Sequence, residues 1–440
     1  MSETTSVYAG FRAFLNKICT LSVQNLKKER MWTPNLRVKV CDSIMGSGKT
    51  EASIYMMDNS PDRRFLFITP RKSEIKRIRK SCKNKRFFEP EPVKGKKLLD
   101  LHDLVASGKD IASTHKLFSM FTDETKAALK NGGYTLILDE AVNVVSPIRL
   151  GPRNTEMLFL GGVLSKNDDG RVMWADDSYT ESWGQSLKPL IKSNYTWLEK
   201  DQLLYWVYPP DIFNLFEEIY MLTYRFDGSS LHKYFSLFDS EIEYLGVQRI
   251  DDHFEFCGKD GADKSPLNLK SLIHILDAGK VNDIGKDRYA LSYTKQIRDN
   301  ETVNKPLLSQ IQKNVRVVFS YHFKKYGCNS SNVMWSCYKP VQDELTAKGF
   351  SGGFVPFNCN AVNDYGDRQF LAYCVNIFCT PEERTYFAQR GTPINEDTYA
   401  LSIMIQWIWR SAIRNGKEIW LYLPSSRMRK LLTDWLDEVG

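Results

Sequence analysis

Several features that define particular classes of protein are missing from this chain of 440 residues. No run of 18 apolar residues occurs, which excludes a transmembrane helix, and the polar start predicts no secretory signal. The nine cysteines are odd in number and form no Cys-x-x-Cys pair, so neither a disulfide framework nor structural zinc is expected. The six histidines are scattered, and no protease or nuclease constellation is visible. We therefore expect a cytoplasmic protein without a membrane partner.

An excess of one charge is confined to a single window. The chain carries a net charge of +7, but residues 63–97 alone hold 14 Lys or Arg against three Glu. A window this one-sided cannot neutralise itself by local ion pairing, which favours contact with nucleic-acid phosphates over a solvated helix face. Its central cations are Lys72, Lys76, Arg77, Arg79, Lys80, Lys83, Lys85 and Arg86.

The order of apolar and polar segments predicts an α/β protein with parallel sheets. Hydrophobic residues make up 42% of the chain, and its length favours two or three domains. Strands that alternate with helices and end in polar residues are typical of parallel sheets with crossovers. The predicted strands are 36–41, 64–69, 134–138, 219–224, 332–336 and 418–423, and the predicted helices include 8–29, 308–319 and 401–412.

Residues 145–210 differ in composition from the rest of this pattern. They hold Trp174, Trp183, Trp197 and Trp206 together with two pairs of adjacent aspartates. We interpret them as an insertion in the first domain, a small aromatic-rich subdomain with its own core. A surface on which nucleic-acid bases stack is the alternative, although acidic neighbours weaken it.

The sequence Gly46-Ser47-Gly48-Lys49-Thr50 lies between a predicted strand and a predicted helix. Glycines let the backbone approach a phosphate closely, and the N–H groups of such a loop point inward. Lys49 is expected to reach the β- and γ-phosphates of a nucleotide, and the Thr50 hydroxyl to bind Mg²⁺. A glycine turn that precedes lysine by chance is the alternative.

A second candidate follows the apolar run Leu136-Ile137-Leu138, which ends in Asp139 and Glu140. Asp139 is placed to hold Mg²⁺ at the end of a buried strand, and Glu140 to orient and deprotonate an attacking water. Most Asp-Glu pairs at strand ends are merely solvated, but this one follows a phosphate loop in the same sheet.

With these two motifs the chain resembles the superfamily-2 helicases of the DEAD/DEAH-box-like group, and in particular viral origin-binding-type replicative helicases. Residues 46–50 look like their motif I, and Asp139-Glu140-Ala141-Val142 like motif II. Thr69-Pro70-Arg71 and Ser113-Thr114-His115 resemble the motifs that touch the nucleic-acid backbone in that family. For the second of these, an ordinary helix N-cap is an equal alternative. Thr223 stands where the family's coupling motif III lies.

The resemblance is thinner toward the C-terminus. Residues 406–414 resemble motif VI, with Gln406 and Arg410 in matching positions, but Trp409 replaces a glycine and Arg414 comes one residue late. On a continuous helix Gln406, Arg410 and Arg414 share one flank, because residues four apart are neighbours. The resemblance implies that Gln406 contacts the nucleotide and that both arginines act as fingers. A solvated helix face is the alternative. Motif V is expected near 358–364, where the usual pattern is missing.

These features together predict two tandem RecA-like domains with parallel sheets. The expected boundaries are an N-terminal helix over 1–30, the first domain over 31–250, a connection over 251–285 and the second domain over 286–440. The resemblance implies an ATP- and Mg²⁺-dependent helicase that moves along single-stranded DNA, in host cytoplasm if phage-encoded and with other replication proteins as further partners. A nucleic-acid-dependent ATPase that remodels complexes without unwinding remains an alternative, as does a non-catalytic nucleic-acid-binding module.

Overall fold

The computed structural model describes residues 36–93, 97–150, 152–168, 170–181, 187–193, 195–199, 203–238, 240–261, 268–297, 303–358 and 365–439. The helix predicted over 8–29 and all but the first residue of the segment 358–364 lie outside them. The described chain divides into two compact units. The first contains residues 36–42, 53–245 and 379–394, and the second contains 43–52, 246–378 and 395–439.

Seventeen strands are described. They are β1 Leu36–Asp42, β2 Arg64–Thr69, β3 Phe87–Phe88, β4 Asp110–Thr114, β5 Tyr134–Asp139, β6 Val145–Pro147, β7 Leu164–Lys166, β8 Val172–Trp174, β9 Thr196–Glu199, β10 Leu203–Val207, β11 Glu218–Thr223, β12 Ser240–Ile250, β13 His253–Gly258, β14 Ile273–Ile275, β15 Val333–Ser336, β16 Phe370–Tyr373 and β17 Ile419–Tyr422.

Sixteen α-helices are described. They are α1 Lys49–Asp58, α2 Lys72–Ser81, α3 Lys97–Ala106, α4 His115–Phe118, α5 Asp123–Gly132, α6 Pro152–Leu160, α7 Lys188–Lys192, α8 Ser230–Phe235, α9 Leu269–Leu272, α10 Gly279–Asn282, α11 Tyr293–Gln296, α12 Lys305–Val317, α13 Gln342–Leu345, α14 Pro381–Gln389, α15 Glu396–Ile408 and α16 Ser426–Val439. Among the residues that the structure describes, no helix is long and apolar enough to cross a membrane.

The first unit is built on a parallel sheet with the strand order β12-β1-β11-β5-β2-β4-β3. Continuous apolar runs such as Leu136–Leu138 are fully buried in it, as expected for strands covered on both faces. Because all seven strands run in the same direction, their carboxyl ends share one edge. The predicted α/β class with parallel sheets is therefore confirmed. Strand β12 continues into the second unit, where it forms a hairpin with β13.

The insertion over 145–210 has a small hydrophobic core of its own, as predicted. This core includes Val172, Ile191 and Leu204, which are almost completely buried. Trp197 and Tyr205 pack instead in the larger cluster of the first unit. There they contact Tyr386 of α14, with ring centroids 6.2 and 5.8 Å away. The aromatic residues of the insertion therefore serve two cores.

The second unit contains a parallel sheet with the order β14-β17-β16-β15. Its first strand, β14, falls within the stretch 251–285 that was expected to be a connection. Large aromatic residues fill the core of this unit. Trp335 donates its indole N–H to Phe350 O at 2.8 Å, and Trp407 donates to Val355 O at 2.9 Å. Buried indole groups thus keep hydrogen-bond partners, as polar atoms in a core require.

The predicted helix over 401–412 ends earlier than expected. Helix α15 stops at Ile408, and Ser411 has an extended backbone, with its hydroxyl donating to Ile408 O at 2.6 Å. A short 3₁₀ turn, Ala412–Asn415, follows. The prediction that Gln406, Arg410 and Arg414 share one flank of a continuous helix is therefore wrong. A serine that binds the backbone locally competes with helix continuation, and this explains the break.

Candidate functional site

The glycine-rich loop directly follows strand β1 and leads into helix α1. Gly46 and Gly48 have φ angles of +83° and +92°, a left-handed backbone that favours glycine. The Ser47 hydroxyl oxygen is buried, with no hydrogen-bond partner among the described residues. A polar atom of this kind, together with the first N–H groups of a ten-residue helix, suits a bound phosphate.

Lys49 is the first residue of α1, and its ammonium group turns back onto the loop. It donates to the carbonyl oxygens of Ser43 and Ile44, the second at 2.9 Å. Thr50 follows on the same helix. The predicted phosphate-binding residues are thus brought together on one loop and the first turn of one helix, where the helix dipole favours negative charge.

Asp139 ends strand β5 at the carboxyl edge of the first sheet. The Thr69 hydroxyl donates to its Oδ2 atom at 2.9 Å, from the end of the neighbouring strand β2. Burial first, and then the nearby Glu140 and Glu74 carboxylates, raise the pKa of Asp139 to about 7, against the lowering effects of Thr69 and Arg71. A cation beside this carboxylate would offset its desolvation.

The Asp139 carboxylate suits Mg²⁺ better than a metal ion whose ligands all come from the protein. Within the described residues, no group of three or more His, Cys, Asp and Glu side chains could hold a metal. Mg²⁺ usually takes only one or two carboxylates and completes its shell with water and substrate phosphates. Asp139, half-buried at the end of β5, is a suitable protein ligand of this type.

Glu140 has a strained backbone. Its φ angle is +70°, a region that residues with a side chain rarely adopt, and its N–H donates to Leu222 O at 2.9 Å. Its carboxylate accepts a hydrogen bond from the Arg71 guanidinium at 2.5 Å. Strain of this kind persists only when the surroundings enforce it, and it concentrates at functional sites.

The carboxyl edge of the sheet also carries the segment 113–115. Thr114 N-caps helix α4 by accepting from the Leu117 N–H at 3.4 Å, so the N-cap alternative is confirmed for this residue. His115 forms a hydrogen bond to the backbone of Asp139, and burial lowers the pKa of its imidazole to about 4. Ser113 is buried on β4, next to β2 in the sheet.

Three of the residues predicted to touch nucleic acid contact the two acidic residues at the end of β5. Thr69 and His115 contact Asp139, and Arg71 contacts Glu140. Sequence reasoning missed these contacts, because nothing in the spacing shows that the ends of β2 and β4 turn toward Asp139. Thr223, the predicted coupling residue, ends β11 opposite Asp42 and is almost completely buried.

Several cations of the basic window form ion pairs, some with glutamates of the window itself and three with acidic residues distant in sequence. Lys72, Lys76 and Lys80 are nevertheless exposed, and they are spaced four residues apart on α2. Pro70 precedes this helix, and Lys83 follows it. The ion pairs within the described part of the window include Arg63–Glu218, Arg71–Glu140, Arg77–Glu74, Arg79–Glu89, Lys85–Asp110 and Lys97–Glu89.

In the second unit, the motif VI-like segment lies beside the glycine-rich loop. A Cβ atom on Gly46 would be 3.6 Å from Nε1 of Trp409, the residue that replaces the glycine of motif VI. The Gln406 amide donates to the Ser402 hydroxyl at 3.5 Å. Arg410 is half-buried and Arg414 is exposed. A turn and a short 3₁₀ segment, not a helix, carry these two arginines.

The fold and this site define an α/β protein with parallel sheets and a glycine-rich loop between a strand and a helix. Residues 267–436 match the family model described as the YonV C-terminal Rossmann-like domain. The SPbeta prophage-derived uncharacterized protein YonV of Bacillus subtilis (strain 168) is 40% identical over 418 residues, which is 91% of this chain and 99% of that protein. The chain therefore belongs to the YonV family. Among solved structures, S. tokodaii Xpd4 aligns with a TM-score of 0.42 and 12% identity, over 96% of this chain and 97% of that one.

Proposed function

We propose that this protein is a nucleic-acid-dependent ATPase that acts as a helicase on single-stranded DNA. One arrangement carries the proposal. The glycine-rich loop follows β1 directly, and Asp139 and Glu140 end β5 at the same edge of one parallel sheet, with only β11 between the two strands. Ligands of open α/β sheets bind at this edge.

Each polar group at the edge has a chemical role in the proposed reaction. Lys49 and the loop N–H groups bind the β- and γ-phosphates of ATP. Thr50 and Asp139 hold Mg²⁺, which neutralises charge on the phosphates when bound. Glu140 orients the attacking water and accepts its proton. Thr69 holds the Asp139 carboxylate through its hydroxyl, and Arg71 positions that of Glu140.

The exposed lysines of α2 supply the proposed contact with DNA phosphates. These lysines are exposed to solvent and would contact phosphates, not bases. Such contacts do not depend on sequence, which suits movement along any strand. We further propose that Pro70, Arg77, Ser113 and Thr114 border the same path, and that Thr223 couples nucleotide to DNA. A prophage origin, which its name gives to the YonV relative, supports a role in phage DNA replication with other replication proteins as partners.

The second domain, proposed over 286–440, supplies Gln406, Arg410 and Arg414. Arg410 is the stronger candidate for a finger that stabilises the transition state, because it is half-buried in the segment that begins beside Gly46 at Trp409. Arg414, exposed on the 3₁₀ turn, is the weaker candidate.

The test is ATP hydrolysis by the full chain and its Lys49→Ala variant, each with single-stranded DNA, duplex DNA and RNA. Hydrolysis stimulated by single-stranded DNA and lost at least about 100-fold in the variant is expected, since Lys49 stabilises the transferring phosphoryl group. Near-normal hydrolysis in a folded Lys49→Ala protein would contradict the proposal. Strand displacement then separates a helicase from an ATPase that only remodels complexes.

A further inference from the structure

A phenylalanine of the β12–β13 hairpin lies directly on the glycine-rich loop. The three atoms nearest to a Cβ built on Gly48 are all carbons of the Phe254 ring, at 2.4, 2.6 and 2.7 Å. No real side chain tolerates such distances, so the ring occupies the space that is open only because residue 48 is glycine. Both residues belong to the second unit.

That space matters because of what glycine does in a phosphate loop. The missing side chain lets a phosphate group approach the backbone N–H groups closely. A phenyl ring offers no hydrogen bond to replace them, and it cannot share the same volume with a phosphate. The ring and the phosphates of a nucleotide therefore compete for one face of Gly48.

The Lys49 ammonium group is also bonded within the loop while the ring is in place. The Lys49 ammonium group donates to two carbonyl oxygens of its own loop, those of Ser43 and Ile44. Nucleotide binding has to redirect this ammonium group toward phosphate. The loop thus has two contacts that a bound phosphate would disturb, one with the Phe254 ring and one with the Lys49 ammonium group.

We propose that Phe254 is an intramolecular plug of the phosphate loop, which the hairpin must withdraw before a nucleoside triphosphate binds. This inference rests on the proposed function, because it assigns a regulator to the same loop. A plug lowers the apparent affinity by the fraction of molecules in which the loop is open. If the ring covers the loop in about nine molecules of ten, its removal strengthens binding about tenfold.

The experiment measures binding of a fluorescent ATP analogue with Mg²⁺ to the full-length chain and three variants. Phe254→Ala removes the ring, and Phe254→Leu keeps a smaller apolar side chain. Phe256→Ala is the matched control, since it removes the same ring two residues further along β13. Thermal melting followed by circular dichroism shows that each variant is folded.

We expect Phe254→Ala to bind about tenfold more tightly, Phe254→Leu to be intermediate and Phe256→Ala to match the parent. Equal or weaker binding by Phe254→Ala, in a parent that binds ATP, overturns the plug and leaves the proposed function intact. Absence of nucleotide binding in every variant overturns both.

Amide hydrogen exchange without nucleotide provides a readout that does not depend on ATP. Phe254→Ala should accelerate exchange over residues 43–50, because the loop loses its cover, and Phe256→Ala should not. Unchanged exchange in a folded Phe254→Ala variant shows that the ring does not hold the loop, and it overturns the plug whatever the nucleotide affinity.

Discussion

At the scale of single residues, the two acidic groups at the end of β5 have opposite environments. Two groups hold Asp139 in place. The Thr69 hydroxyl donates to its carboxylate, and His115 forms a hydrogen bond to its backbone. Its raised pKa follows from burial near other carboxylates. Glu140 instead turns away on a left-handed backbone and pairs with Arg71. Adjacent carboxylates with different surroundings are suited to different roles, one as a metal ligand and one as a base.

Replacing Glu140 with glutamine tests this division. Gln cannot accept the proton of the attacking water, while Asp139 remains available for Mg²⁺. We expect ATP and single-stranded DNA to bind as in the parent, and turnover to fall about 10²–10⁴-fold, the usual contribution of a general base. Equilibrium binding and steady-state hydrolysis measure the two quantities.

Two further variants separate the carboxylate of Glu140 from its backbone conformation and from the role of Asp139. Glu140→Gly suits the φ angle of +70° and also lacks the carboxylate, so it should lose turnover without losing the fold. Asp139→Asn should weaken Mg²⁺-dependent nucleotide binding instead. If Glu140→Gln fails to bind ATP, or if Glu140→Gly hydrolyses ATP normally, Glu140 shapes the turn and is not the base.

At the scale of elements, helix α2 carries two kinds of cation, one ion-paired within the helix and the others exposed to solvent. Arg77 folds onto Glu74 of its own helix, whereas Lys72, Lys76 and Lys80 are exposed. The net charge of residues 63–97 predicted a basic surface. It did not predict that Arg63 pairs with Glu218 and Lys85 with Asp110, because these acidic partners lie on strands outside the window. Charge counts show an excess, and only the fold shows where it is exposed.

Reversing Lys72, Lys76 and Lys80 to Glu should therefore weaken DNA binding and flatten its salt dependence. Each lost phosphate contact lowers the log–log slope by about 0.7 for single strands. Fluorescence anisotropy over a series of salt concentrations measures the slope. The matched control reverses Lys305, Lys313 and Arg316, three exposed cations of α12. An unchanged slope in the α2 variant, or an equal change in the control, contradicts a specific role for α2.

Six of the eleven strands in the two parallel sheets were predicted, from apolar runs bounded by polar residues, whereas β12, β14 and β16 among the others were not. The end of α15 was not predicted either. Leu401, Met404, Ile405 and Ile408 continue a helical pattern to Ala412, yet the Ser411 hydroxyl bonds to the backbone and breaks the helix. Local hydrogen bonds of serine are invisible to a count of apolar spacing. This error moved Arg410 and Arg414 onto a flank that does not exist.

At the scale of the whole molecule, chain order does not follow the units. Residues 379–394 lie between elements of the second unit, but they belong to the first, where Phe387 is fully buried and Tyr386 packs on Trp197 and Tyr205. No periodicity reveals this, because Tyr386 packs on residues of the insertion some 180 positions earlier in the chain. The insertion thus has one surface joined to the first core and one core of its own.

That second core makes the insertion a candidate for local unfolding. Ile191 is fully buried in the same cluster as Leu158, Val172 and Leu204, which is separate from the main cluster of the first unit. Ile191→Ala should cost about 2–5 kcal/mol at that site, enough to open a small core without unfolding the sheet. We expect faster limited proteolysis within residues 145–210, while nucleotide binding is retained.

Ile111→Ala is the matched control, because Ile111 is equally buried but lies on β4 in the main cluster of the first unit. The same lost volume there should expose the whole unit to protease and reduce nucleotide binding, since Asp139 lies two strands away in the same sheet. Mass spectrometry of the first cleavage products locates the opened region in each variant. If Ile191→Ala releases fragments cut throughout the sheet, the insertion folds with the first unit as a single cooperative body, and its aromatic residues serve one core instead of two.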